Sequence, residues 1–125
     1  MCGIAGFIGN RPVGEDRIQR TLGLMAHRGP DAQRSAYLAG GPGSDGLQVL
    51  LLHSRLSIID LGDRAHQPFS LGPCTIAFNG EIYNYIELRS ELQRSGVGFR
   101  TTSDTEVLLQ AYLHHGVACT KVLEG

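Results

Sequence analysis

From Cys2 to Ile8 small residues alternate with β-branched or aromatic ones, and Gly9-Asn10 with Pro12 closes the run. That pattern predicts a short buried strand ending in a turn. From Glu15 to Ala26 the period lengthens. Ile18, Leu22 and Met25 fall at i, i+4 and i+7, one face of an amphipathic helix. His27-Arg28-Gly29-Pro30-Asp31 breaks the periodicity and predicts a loop. Ser35 to Ala39 and Leu47 to Ile59 predict two further strands, the second long enough to need a bend near Ser54. Leu61 to Pro73, polar and interrupted by glycine and proline, predicts a loop. Cys74 to Phe78 predicts a strand stopped at Asn79-Gly80, a pair that tolerates positive φ.

Two helices follow. Asn84 with Glu87 three residues on resembles a capping arrangement, and Tyr85, Leu88 and Leu92 share a face before Gly96. Ser103 with Glu106 fits the S-x-x-E capping box, opening a helix that Gly116 can end. Four or so strands and three helices make a mixed α+β domain, with no internal repeat.

Composition narrows the function. A chain of 125 residues is one domain or a piece of one. Its formal charge of -1 leaves no electrostatic footprint for nucleic acid or for an anionic membrane. Lys121 is the single lysine, which removes most lysine-dependent chemistry. The three cysteines, Cys2, Cys74 and Cys119, lack C-x-x-C spacing, so a reducing, cytoplasmic setting is expected. The apolar stretch Ile4 to Ile8 is too short for a signal peptide or a membrane span, and no basic leader precedes it. Myristoylation would need glycine where Cys2 stands.

Most candidate motifs reduce to architecture. Gly41-Pro42-Gly43-Ser44-Asp45-Gly46 matches G-x-G-x-x-G by letter but leads into the strand-like Leu47 to Leu52. A dinucleotide fingerprint must open a helix, so a hairpin connection is expected instead. His114 and His115 suit the end of a helix, and His27, His53 and His66 lack ligand spacing, so no metal site is expected. Cys74 and Cys119 read as small buried residues.

Cys2 is different. A free thiol is only a few per cent ionised at neutral pH and needs a base to become a nucleophile. Once Met1 is removed, the α-amine of Cys2 can take the thiol proton, directly or through water. Nucleophile and base then belong to one residue, and Gly3 leaves room for a substrate.

Five blocks in order give this cysteine its context: Cys2-Gly3-Ile4-Ala5-Gly6, His27-Arg28-Gly29-Pro30-Asp31, Arg55-Leu56-Ser57-Ile58-Ile59-Asp60, Phe78-Asn79-Gly80-Glu81-Ile82-Tyr83-Asn84 and Ser103-Asp104-Thr105-Glu106. Together they closely resemble the class II, N-terminal-nucleophile glutamine amidotransferase domain of glutamine-hydrolysing asparagine synthetases. The first block is shared with glucosamine-phosphate synthase and amidophosphoribosyltransferase. The proline of the second and the Asn79 to Asn84 block look like the asparagine synthetase branch.

The resemblance implies a fold and a reaction. The fold would be an αββα sandwich of two stacked, mainly antiparallel sheets flanked by helices. The reaction would be a glutaminase half-reaction in which Cys2 attacks the glutamine amide, releasing ammonia and leaving a γ-glutamyl thioester for water to hydrolyse. By analogy, the Asn79 side-chain amide and the Gly80 backbone N–H would hold the oxyanion. Arg55 would take the substrate α-carboxylate as a bidentate partner. Glu81 and Asp104 would take the α-ammonium, alongside groups at Ser57, Ile58 and Ile59. Taken singly, Asp104 is a first-turn acid favoured by the helix dipole and Arg55 a solvated strand-end charge; in this order and company both read as substrate contacts.

The resemblance also implies what lies elsewhere. No cofactor is expected in this domain; ATP and Mg would serve a C-terminal synthetase domain that amidates aspartate. The family domain continues into further strands beyond Val122-Leu123-Glu124-Gly125, so the chain is expected to be a truncated piece, with strand edges prone to self-association. Partners are then glutamine and the synthetase domain, with a homodimer left open. Two alternatives stand beside this reading: an amidotransferase serving another carboxylate, and a non-catalytic glutamine-binding or assembly module.

Overall fold

The computed structural model describes residues 1–40, 43 and 45–125. Within them the chain forms two compact units. The first comprises Met1–Ser57, His66–Pro68 and Ala77–Asn79; the second comprises Ile58–Ala65, Phe69–Ile76 and Gly80–Gly125. Both are mixed α+β, with antiparallel sheets and helices, as the periodicities predict.

The first unit is built on strands β1 (Gly3–Gly9), β2 (Ala32–Ala39) and β3 (Gln48–Arg55) and helix α1 (Glu15–Met25). The sheet order is β1-β3-β2, antiparallel throughout. Strand β3 takes the centre: its apolar run Val49 to Leu52 consists of large side chains that can be covered on both faces, whereas β1 is interrupted by glycine and stays largely exposed. Leu50 and Leu52 point to one face and close a core with Ile18 and Leu22 of α1, with Ala5, Val13 and Met25 packed around it. Each of the four central side chains is nearly inaccessible and contributes about 1.5–3 kcal/mol on burial. The Tyr37 hydroxyl fastens the lead-in to α1, accepting from the Val13 N–H and donating to its carbonyl, each at 2.8 Å. On the face away from α1, Ile4 and Ile8 stay 49% and 69% exposed.

Three residues of the glycine-rich run expected as a hairpin connection, Gly41, Pro42 and Ser44, lie outside the described residues. On either side of it Ala39 pairs with Gln48, and the Gly40 N–H donates to Leu47.

Strand β3 stops at Arg55, short of the predicted Ile59. Beyond it the chain is pinned rather than paired. The Ser57 N–H donates to Asp31 Oδ2 at 2.7 Å, and Asp60 takes a left-handed φ of 52°.

The second unit holds a hairpin of β4 (Phe69–Leu71) and β5 (Cys74–Ile76), then helices α2 (Tyr85–Arg94) and α3 (Asp104–His115). The predicted loop Leu61 to Pro73 therefore contains a strand, and a short 3-10 turn at Asp63–Ala65. A second 3-10 turn, Gly116–Lys121, follows α3 and buries Cys119. Helix α3 packs against α2, both strands and that last turn. Its Val107, Leu109 and Ala111 are buried, as are Leu88 and Leu92 of α2.

Gly96 and Gly116 end their helices at φ of 88° and 60°, a conformation that favours glycine. The caps divide. The Ser103 hydroxyl accepts from the Glu106 N–H at 3.2 Å, as expected. Asn84 does not cap α2 with its side chain: its amide donates to Val122 at 2.9 Å and accepts from the Glu124 N–H at 3.1 Å. Among the described residues no helix is long and apolar enough to cross a membrane.

Candidate active site

In the first unit, one end of the sheet gathers the expected nucleophile and its neighbours. Gly3 pairs with Ser54, so Cys2 stands one register step further on, beside Arg55 and Leu56. The Leu56 N–H donates to Cys2 Sγ at 3.3 Å, and the thiol lies 3.7 Å from the Leu56 carbonyl oxygen. Cys2 is half-buried, whereas Met1 before it is 78% exposed.

The His27 to Asp31 block, read as a helix-breaking loop and as one of the five motif blocks, is the clamp on this corner. Arg28 Nε donates to the Cys2 carbonyl at 3.0 Å. Asp31 binds twice: its N–H donates to the Arg55 carbonyl at 3.1 Å, and its carboxylate takes the Ser57 N–H. Between them Gly29 lies against the Ser54 and Arg55 backbone so closely that a Cβ would collide. One pentapeptide thus fixes both Cys2 and the segment after β3. The signal in the sequence was the charge on each side of Gly-Pro.

Arg55 is 5% exposed. The reading of a solvated strand-end charge is therefore wrong, because burying a guanidinium is unfavourable unless partners meet it. Ser57 gives its N–H to Asp31 and offers only its hydroxyl and carbonyl. Asn79 is half-buried in the same unit as Cys2, Arg55 and Ser57.

The other expected residues belong to the second unit. Asp104 is the first residue of α3, buried, with Oδ2 accepting from the Ile82 N–H at 3.2 Å. That bond brings Asp104 to the segment carrying Gly80 and Glu81, both exposed. Ile58 is 68% exposed and Ile59 half-buried.

Two acids outside the expected set organise this unit. Glu106, fully buried, does not take the Ser103 N–H that a complete capping box would give it; that N–H donates to the Thr101 hydroxyl at 3.2 Å. Its carboxylate instead accepts the Arg100 N–H at 2.9 Å, the Thr101 N–H at 2.6 Å and the Thr101 hydroxyl at 2.6 Å. Arg89 braces the same turn, donating to Thr101 at 2.9 Å and Ser103 at 3.3 Å while lying over the Phe99 ring. Asp60 accepts the Thr102 N–H at 2.7 Å and the Gly62 N–H at 3.0 Å and pairs with Arg64. Burial raises its carboxyl pKa, but those donors and the Arg64 charge outweigh it and hold the group below the ordinary aspartate value. Both acids thus fix the turn that delivers Asp104.

Among the described residues no three His, Cys, Asp or Glu side chains gather to hold a metal ion. The chemistry that the first unit offers is nucleophilic: a thiol on a peptide N–H with a buried guanidinium beside it in register.

Residues 1–125 match the family model described as a glutamine amidotransferase domain. The chain is 40% identical over its whole length to asparagine synthetase [glutamine-hydrolyzing] 1 of Bacillus subtilis, and 39% to a putative asparagine synthetase [glutamine-hydrolyzing] of Mycobacterium bovis. It is 34% identical to the amidase chry2 of Gibberella zeae, again over its whole length. The chain spans about a fifth of the length of these relatives.

Proposed function

Because the chain belongs to the glutamine amidotransferase domain family, we propose that it hydrolyses glutamine to glutamate and ammonia with Cys2 as nucleophile. The observation that carries this reading is the seat of Cys2, its sulfur on the Leu56 peptide at the end of β3 beside the buried Arg55.

The steps follow from the residues. Removal of the exposed Met1 frees the Cys2 α-amine, which takes the thiol proton. The sulfur attacks the side-chain amide carbon of glutamine. The carbonyl oxygen becomes an oxyanion, met by the Asn79 amide and the Gly80 N–H. Collapse expels ammonia, carrying the transferred proton, and leaves a γ-glutamyl thioester; water then attacks it and releases glutamate and the thiol. Arg55 holds the α-carboxylate, and Asp104 with Glu81 holds the α-ammonium. Ser57, Ile58 and Ile59 complete the surroundings.

For the parent protein the reading extends to a synthetase domain, using ATP and magnesium, that receives the ammonia and amidates aspartate. Three free cysteines suit a cytoplasmic setting. The second reading is a parent that amidates another carboxylate. The amidase among the relatives favours keeping it, since the same domain there goes with a different name.

Arg55→Lys tests the assignment of the substrate. Lysine keeps the charge but loses the planar fork, so kcat/KM for glutamine should fall roughly ten- to hundredfold, mainly through KM. Steady-state glutaminase kinetics read this directly. A wild-type KM would remove Arg55 from the carboxylate site.

A further inference from the structure

Two side chains from distant parts of the chain converge on one peptide. His53 Nε2 lies 3.1 Å from the Phe78 carbonyl oxygen, and Gln67 Oε1 accepts the Phe78 N–H at 2.5 Å. Strand β5 has already ended at Ile76, and residues 77–79 belong to no strand. The backbone of Phe78 thus has its donor and its acceptor satisfied by side chains rather than by a sheet ladder. The next residue is Asn79.

His53 is a costly way to fill its position. It is 1% exposed, on central strand β3, and its Nδ1 is buried with no hydrogen-bond partner. An apolar side chain would leave no orphaned nitrogen but would strip the Phe78 carbonyl of its donor, so what the imidazole supplies is its hold on that peptide. A carbonyl only accepts, so Nε2 carries the proton and Nδ1 is bare. Burial lowers the His53 pKa, opposed by the Phe78 carbonyl and helped by the charges of Arg55 and His66, which keeps the ring neutral. Two residues along, on the same strand face, stands Arg55, roughly 6–7 Å away by strand geometry.

We infer that His53 and Gln67 are positioning residues that hold the Phe78 peptide from both sides and so aim the Asn79 amide at the oxyanion. The inference rests on the proposed glutaminase reading. A donor aimed at an oxyanion acts only once charge has developed on the oxygen, so its misplacement lowers kcat and leaves KM nearly unchanged.

The experiment is glutaminase kinetics on the full-length protein as wild type, Cys2→Ala, His53→Leu, His53→Gln and Gln67→Met, with circular dichroism melts of each. Glutamine in place of His53 puts its amide nitrogen where Nε2 stood. His53→Leu and Gln67→Met should each lose about 10- to 100-fold in kcat with KM within about twofold, the size expected of a misaimed oxyanion donor. His53→Gln should recover kcat to within about threefold of wild type, since it restores the donor. A folded His53→Leu or Gln67→Met with wild-type kcat overturns the inference, and so does a loss confined to KM. Should His53→Leu fail to fold, His53→Gln decides: folded but as slow as Cys2→Ala, it overturns the inference. A wild-type protein that hydrolyses no glutamine contradicts the underlying function instead, and so does a fully active Cys2→Ala.

Discussion

Cys2→Ala should cut glutamine hydrolysis by at least about a thousandfold, the scale on which removal of a covalent nucleophile acts. If the parent protein carries the proposed synthetase domain, its ammonia-dependent synthesis should survive. Alanine keeps the α-amine, the Cys2 carbonyl that Arg28 holds and the register of β1 against β3. Only the sulfur leaves, and with it two contacts to the Leu56 peptide, a hydrogen bond from the N–H worth about 1 kcal/mol and a long, weaker one to the carbonyl. That loss is too small to unfold the domain, so a dead enzyme reports chemistry. Paired assays with glutamine and with ammonium salts as nitrogen donor separate the two outcomes. Undiminished turnover of glutamine would refute Cys2 as the nucleophile.

Glu106→Leu should have the largest effect on stability. The side chain is fully buried, and leucine fills similar space without its oxygens. The N–H groups of Arg100 and Thr101 and the Thr101 hydroxyl then lose their acceptor together. Each such group costs about 1–3 kcal/mol when stranded, so a loss of about 3 kcal/mol or more is expected. Against a typical total of about 5–15 kcal/mol this is severe, and Tm should fall by about 10 °C. The turn at 100–103 presents Asp104, so hydrogen exchange there should quicken and KM for glutamine should rise. Glu106→Gln keeps one acceptor oxygen and should lose less. Thermal melting with exchange mass spectrometry measures both effects; a Glu106→Leu protein melting with wild type would show that the turn holds without its carboxylate.

Glu106, whose carboxylate holds that turn, shows what the sequence could and could not express. Ser103-x-x-Glu106 announced a helix start correctly, because the serine cap is local. The glutamate's destination was not legible, since it answers to a turn that Arg89 of another helix braces. Asn84 failed as a cap for the same reason: its amide is claimed by Val122 and Glu124, some forty residues on. Strand β4 escaped notice because three residues between two prolines show no period, and only pairing with β5 makes them a strand.

At the candidate site, Cys2 stood out in the sequence because position and chemistry coincide in one residue. The burial of Arg55 was not, since a lone arginine at the end of a strand reads as solvated until the fold covers it. Arg28, Gly29 and Asp31 stood out as a motif, but their work as a clamp depends on β1 and β3 meeting in antiparallel register. His53 gave no sign at all, because what distinguishes it is the peptide it holds.

In the proposed reaction the sulfur of an N-terminal Cys2 carries the glutamyl group. Acid quenching of the full-length protein during turnover, followed by peptide mass spectrometry, tests it most directly. The first peptide should begin at Cys2, lack Met1, and carry one glutamyl group absent from Cys2→Ala. A protein that turns over glutamine at full rate with Met1 still attached, or with the glutamyl group on any other residue, would contradict it.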